Sequence, residues 1–249
     1  MKRSYLSLII VLSIFLIPTS GLAAKFIIKP ELKNQFLGVV GIPPYTDPVL
    51  TTYYAANFDS GFFIAAWHAA ATESIEDGNL SSVAADQLYQ HVGWRGPISN
   101  GFKLRTELIY MDFKDILSGF EGDIFRFITE VSHPLTMGTH KLEPYTGIWG
   151  HIPSAGDKPE RGVHTVLGLR HKMPLANKLT LSQYIELRKD GGAFGLKPTL
   201  LFRHGFKLSW KVNKNLIINP VIFLWNTSIP VNEYRSTEHM YGMGITLLF

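Results

Sequence analysis

In the last ten residues, MYGMGITLLF, every second side chain is large and apolar, Tyr241, Met243, Ile245, Leu247 and Phe249, while Gly242, Gly244 and Thr246 fill most of the gaps. A period of two is the signature of a strand whose two faces meet different surroundings. Domains folded in water usually fray at their ends and place polar residues there. Here the pattern runs to the final residue, and the same period recurs upstream. In 102–113, Phe102, Leu104, Thr106, Leu108 and Tyr110 share one face and Lys103, Arg105 and Glu107 the other. In 179–188, Leu179, Leu181, Ile185 and Leu187 oppose Ser182, Tyr184, Glu186 and Arg188. Each of these two upstream segments has one apolar face and one face that carries charge.

Eleven segments carry strand signals, ten of about 10 to 13 residues and one, 196–212, longer: 47–58, 61–73, 86–96, 102–113, 123–133, 141–151, 163–173, 179–188, 196–212, 216–226 and 239–249. Tight turns at 59–60, 98–101, 136–139, 174–178 and 213–215 alternate with longer polar connections at 74–85, 114–122, 152–162, 189–194 and 227–238. Short turns on one side and long loops on the other is the layout of a bacterial outer-membrane barrel. Such a barrel has an even number of strands, so one further strand is expected before residue 47, and 34–41 (NQFLGVVG) is the segment assigned to it. The expected fold is all-β: a transmembrane antiparallel up-and-down β-barrel of about 12 strands with an aromatic C-terminus.

The other end of the chain agrees. Lys2 and Arg3 precede an apolar run of 12 residues from Leu6 to Ile17, then Pro18 and the small residues of TSGLAA. That order predicts a cleaved secretory signal peptide over 1–24, leaving 25–249 as one barrel domain. The run is shorter than the roughly 20 residues of a spanning helix. Lys2 and Arg3 are two of the 24 basic residues, so cleavage leaves 22 against 20 acids, a net +2 with no nucleic-acid footprint. Cysteine is absent, which excludes disulfides, thiolate metal sites and a cysteine nucleophile. The expected partners are the lipid of the outer membrane, the barrel-assembly machinery and small solutes. The terminal face of Tyr241, Met243, Ile245, Leu247 and Phe249 is the expected assembly signal, and Trp94, Tyr110 and Trp210 lie near strand ends, where rings meet headgroups.

Parity also predicts the lumen. Arg95, Arg105, Arg126, Arg170, Lys172, Arg188, Arg203 and Lys207 should point inward with Glu107, Glu130, Glu143 and Glu186. Lys103, Lys141 and Lys211 share that face but sit near the tight turns, so they are discounted as selectivity determinants. A narrow basic wall focuses field lines and favours anions. The expected function is a porin-like channel for passive diffusion of small polar, anionic solutes. The alternative is a structural barrel acting through its loops, with Arg105, Arg126, Arg170 and Arg203 merely neutralising Glu107, Glu130, Glu143 and Glu186. A lipid-modifying barrel enzyme needs a converging nucleophile and base. Ser132 and His133 are neighbours and so point to opposite faces, Ser182 has no evident partner, and His68, His91, His151 and His164 show no short metal spacing. No catalytic residue, metal or cofactor is expected.

The stretch 48–113 resembles the TorF-type porins, a proteobacterial family of outer-membrane proteins. The similarity lies in a Pro-led strand (PVLTTYYAANF), the Gly61-Phe62-Phe63 entry with Trp67 beyond it, a short Gly-containing strand at 89–96, and the aromatic-rich strand end at 110–113. The resemblance implies an outer-membrane channel and brings no substrate and no catalytic residues.

Overall fold

The structure, a computed structural model, describes residues 24–35, 48–71, 87–113, 123–153, 161–192, 197–229 and 237–249. These residues form thirteen strands: β1 Ala24–Lys33, β2 Val49–Phe58, β3 Phe62–Ala71, β4 Gln87–Pro97, β5 Lys103–Phe113, β6 Ile124–Ser132, β7 Leu135–Met137, β8 His140–Pro153, β9 Gly162–Ala176, β10 Leu179–Asp190, β11 Thr199–Lys211, β12 Leu216–Ile229 and β13 Glu238–Leu248. Neighbours in sequence pair antiparallel, except β6 and β7, which both pair with β8. β13 returns to β1, and β6 pairs with β8, so the sheet has no free edge along its spans.

Thirteen strands make twelve spans because Pro134 splits one of them. A proline offers no N–H to a ladder, and the run from Ile124 stops at Ser132, then resumes at Leu135 as β7, paired only with β8. The closed barrel is therefore twelve-stranded, as the alternation requires. Its first strand is not the expected one. Residues Ala24–Lys33 pair along their whole length with β2, while Asn34 and Gln35 form a bend and 36–41 lie outside the described residues. The alternation Lys25, Ile27, Lys29, Glu31, Lys33 against Phe26, Ile28, Pro30, Leu32 was present in the sequence. Pro30 counts against a central strand, and the segment abuts the expected cleavage site. Residues 1–23 of the expected signal peptide lie outside the described residues.

All five tight turns fall at one end of the barrel. Between β4 and β5, Asn100 (φ 51°) and Gly101 (φ 79°) both take positive φ, which a two-residue hairpin turn of the type that matches strand twist demands, and Phe102 N donates to Ser99 O at 2.9 Å. The chain ends lie on the same side: Phe26 N donates to Phe249 O at 3.1 Å and Phe249 N returns the bond at 3.0 Å. The longer connections lie at the other end, and residues 36–47, 72–86, 114–122, 154–160, 193–196 and 230–236 within them are outside the described set.

The outer surface is apolar. Phe125, Phe127, Ile148, Leu167, Ile185, Leu187, Tyr241 and Met243 are all exposed. A two-layer sandwich in water would bury those side chains in a shared core; a barrel surrounded by hydrocarbon presents them to its solvent. The inward side chains form two apolar clusters, one of Tyr89, Ile109, Met111, Ile124 and Ile128 with Trp67 and Trp149 against it, the other of Ile222, Leu224 and Met240 beside Tyr184. A bulge at Pro220-Val221 in β12 turns two successive residues outward and returns Ile222 to the interior.

Candidate functional site

Cross-strand register sorts the inward side chains into rows. Near the tight turns, Lys141 lies opposite Lys172, Lys172 opposite Ser182, Ser182 opposite Lys207, and Lys207 opposite Ile222. The next row runs Glu143, Arg170, Tyr184, Gly205, Leu224, Met240, and the one beyond it Tyr145, Gly168, Glu186, Arg203, Asn226. On the facing wall, Arg95 lies opposite Arg105 and Arg105 opposite Glu130. Every residue expected on the lumen face shares this parity.

A continuous polar network crosses these rows. The Arg170 guanidinium donates to Glu130 Oε2 at 2.7 Å and to Glu143 Oε1 at 3.4 Å, and it lies 3.8 Å from the centre of the Tyr145 ring. Tyr145 donates its hydroxyl proton to Glu186 Oε2 at 2.9 Å, and Arg188 donates to the other oxygen of Glu186 at 2.5 Å while stacking 4.0 Å over Trp149. Glycines make room for the rings: a Cβ on Gly168 would stand 2.3 Å from Tyr145 Cζ, and one on Gly205 would stand 2.4 Å from Tyr184 Cε1. Each ring therefore lies flat against the wall. On the facing wall, Glu107 accepts from Arg105 and contacts His91 Nδ1 at 2.6 Å, while Arg95 bonds Asn57.

Toward the end with the long connections the interior is densely filled. His164 and Asp190 are fully buried with Nε2 and Oδ1 3.2 Å apart, and the His151 ring lies 4.6 Å from that of His164. Arg126 is 4 % exposed, lies between Ile109 and His151 in register, and has no carboxylate partner among the described residues. The expected neutralising pairs thus form at Arg105 and Arg170 but not at Arg126, and Glu186 takes Arg188 rather than Arg203, its direct register partner. His91, His151 and His164 face inward. His68 does not: it pairs with Thr52 and Leu88 on the outer face. Ser132 is buried on the inside, and His133 stacks on Phe102 outside.

Toward the tight turns the lumen holds a cavity of about 590 Å³. Lys103, Lys141, Lys172 and Lys207 line it, and none of the four has an ion-pair partner among the described residues. The acids of the lumen are engaged: Glu31 by Lys33 at 2.9 Å, Glu107 by Arg105, Glu130 and Glu143 by Arg170, Glu186 by Arg188. Lys103 and Lys141, discounted on their nearness to the turns, stand on this cavity, whereas Lys211 sits at the exposed end of β11. Lys29, Glu31 and Lys33 were missed with the strand that carries them.

No protein-family model matches the chain, and no curated relative does. Solved structures of the same fold do. The KdgM porin matches at TM-score 0.55 and 9% identity over 90% of this chain and 99% of its own. The NanC porin matches at 0.56 and 7% over 89% and 98%, and a bacterial polysaccharide outer membrane secretin at 0.56 and 8% over 91% and 97%. The KdgM porin in complex with disordered oligogalacturonate matches at 0.53 and 11% identity, over 90% of this chain and 99% of its own. The likeness is one of fold: a closed twelve-stranded barrel of the outer-membrane porin type.

Proposed function

We propose that the chain is an outer-membrane channel for passive diffusion of small anionic solutes through a narrow basic lumen. The observation that carries the reading is the imbalance of pairing: the lumen carboxylates Glu31, Glu107, Glu130, Glu143 and Glu186 are each in an ion pair, Glu130 and Glu143 sharing Arg170, whereas Lys103, Lys141, Lys172 and Lys207 line an open cavity with no ion-pair partner among the described residues. Between low-dielectric walls such a field concentrates anions and repels cations. A KdgM porin is found with oligogalacturonate, an acidic sugar chain, and that agrees with anion passage through a barrel of this kind. Export by the 1–24 signal peptide, assembly read from Tyr241, Met243, Ile245, Leu247 and Phe249, and membership of the TorF-type porins on the 48–113 stretch belong to the same proposal.

The second reading, a filled barrel working through its loops, draws on the buried residues Arg126, His151, His164, Arg188 and Asp190. Liposome swelling separates the two. Proteoliposomes of the refolded chain should swell faster in small organic anions than in neutral sugars of equal size, and slowest in cations. Swelling no faster than in empty liposomes, with folding verified by heat-modifiable mobility in gels, would leave the filled barrel.

A further inference from the structure

Two features of the tight-turn cavity are unlike a simple ion path. The first is the lysine row. Lys141 and Lys172 are direct cross-strand partners, and Lys207 follows one residue along the same row. Like charges placed directly opposite one another destabilise a sheet, and the two carboxylates on the same cavity, Glu31 and Glu143, are held by Lys33 and Arg170 rather than by these lysines, so an anion among them would relieve the repulsion. The second is the wall that continues the row. Ile222 is the register partner of Lys207, and Ile222, Leu224 and Met240 form a packed aliphatic patch beside Tyr184 on the same cavity. A porin lumen is expected to be polar, and the patch is not explained by passage of hydrated ions.

We propose that this cavity is a binding site for a compact organic anion with an apolar body, its carboxylate held by Lys141, Lys172 and Lys207 and its hydrocarbon part against Ile222, Leu224 and Met240. The inference rests on the reading of the lumen as an anion path and names the solute class that path takes. An inorganic anion uses the lysines alone and gains nothing from the patch. An acidic sugar brings hydroxyls against three side chains that offer no hydrogen-bond partner, at the cost of burying polar groups unpaired. A small aryl or alkyl carboxylate satisfies both walls. The volume of about 590 Å³ lies within the range of sites that enclose one small organic molecule.

The test is equilibrium dialysis of the refolded mature chain in nanodiscs, with empty nanodiscs as blank, against labelled phenylacetate, acetate and galacturonate. Phenylacetate is expected to bind at least tenfold tighter than the other two. Its affinity should fall about tenfold in the double variant Lys141→Gln/Lys172→Gln, and by a similar factor in Leu224→Asn, with Ile222→Thr as the second probe of the patch if Leu224→Asn does not fold. Galacturonate binding as tightly as phenylacetate would overturn the proposal. So would unchanged phenylacetate affinity in a folded patch variant, or no binding of any probe. Bilayer conductance of the same preparation separates this from the channel reading. Anion conductance without phenylacetate binding removes the site and keeps the channel; phenylacetate binding without conductance removes the channel and keeps the site.

Discussion

Tyr145 shows how single residues set the shape of this lumen. Its ring lies over Gly168, its hydroxyl is held by Glu186, and its outer face carries the Arg170 guanidinium, which in turn holds Glu130 and Glu143. A cation against a ring and two carboxylates adds attraction at each step. Gly168→Ala places a methyl carbon where the ring now lies, so the ring must leave the wall and the network must open. The expected cost is about 1–3 kcal/mol, in the range of overpacking substitutions, measured as a drop in urea unfolding midpoint in lipid vesicles. Gly150→Ala is the control: a Cβ there meets nothing within 4 Å, and a change within about 0.5 kcal/mol is expected. Equal effects of the two substitutions would contradict the placement of Tyr145.

At the scale of the strand, the outward face should behave as a lipid face. Leu167 is 61 % exposed near the middle of β9. Leu167→Arg should destabilise the barrel by about 2–4 kcal/mol, the cost of a basic side chain at the bilayer midplane, when unfolding is followed in vesicles. A soluble sheet would take the same change within about 0.5 kcal/mol. Just past β13, Phe249→Ser leaves the backbone bonds to Phe26 available and should lower the yield of assembled barrel in cells several-fold, read as heat-modifiable protein in the membrane fraction. The faces of β5, β6, β10, β11 and β13 were legible because the side-chain period is two and each strand has lipid on one side only. The strand Ala24–Lys33 was not, since Pro30 and the nearness of the expected cleavage site masked its alternation. Nor were the partners of the arginines. Parity assigns a face, but Arg170 on β9 reaches past β8 to Glu130 on β6, a span of two strand spacings, roughly 10 Å, which only strand tilt and side-chain length decide.

At the scale of the whole molecule, the barrel divides its interior by height. The end with long connections is filled by buried side chains around His164 and Arg188, and the tight-turn end holds the open, lysine-lined cavity. Charge at an open, hydrated wall is screened by salt, with a Debye length of about 10 Å at 0.1 M and about 3 Å at 1 M. Anion preference should therefore weaken as the salt on both sides is raised at constant ratio, and a preference independent of salt would place the selective charges elsewhere. Anion selectivity of the lumen is tested most directly by the reversal potential of single refolded barrels in a planar bilayer under a tenfold KCl gradient. The expected result is a steady conductance whose reversal potential has the sign of chloride preference, moving toward zero in the variant Lys103→Gln/Lys141→Gln/Lys172→Gln/Lys207→Gln. Cation preference, or a folded barrel that passes no current, would contradict it.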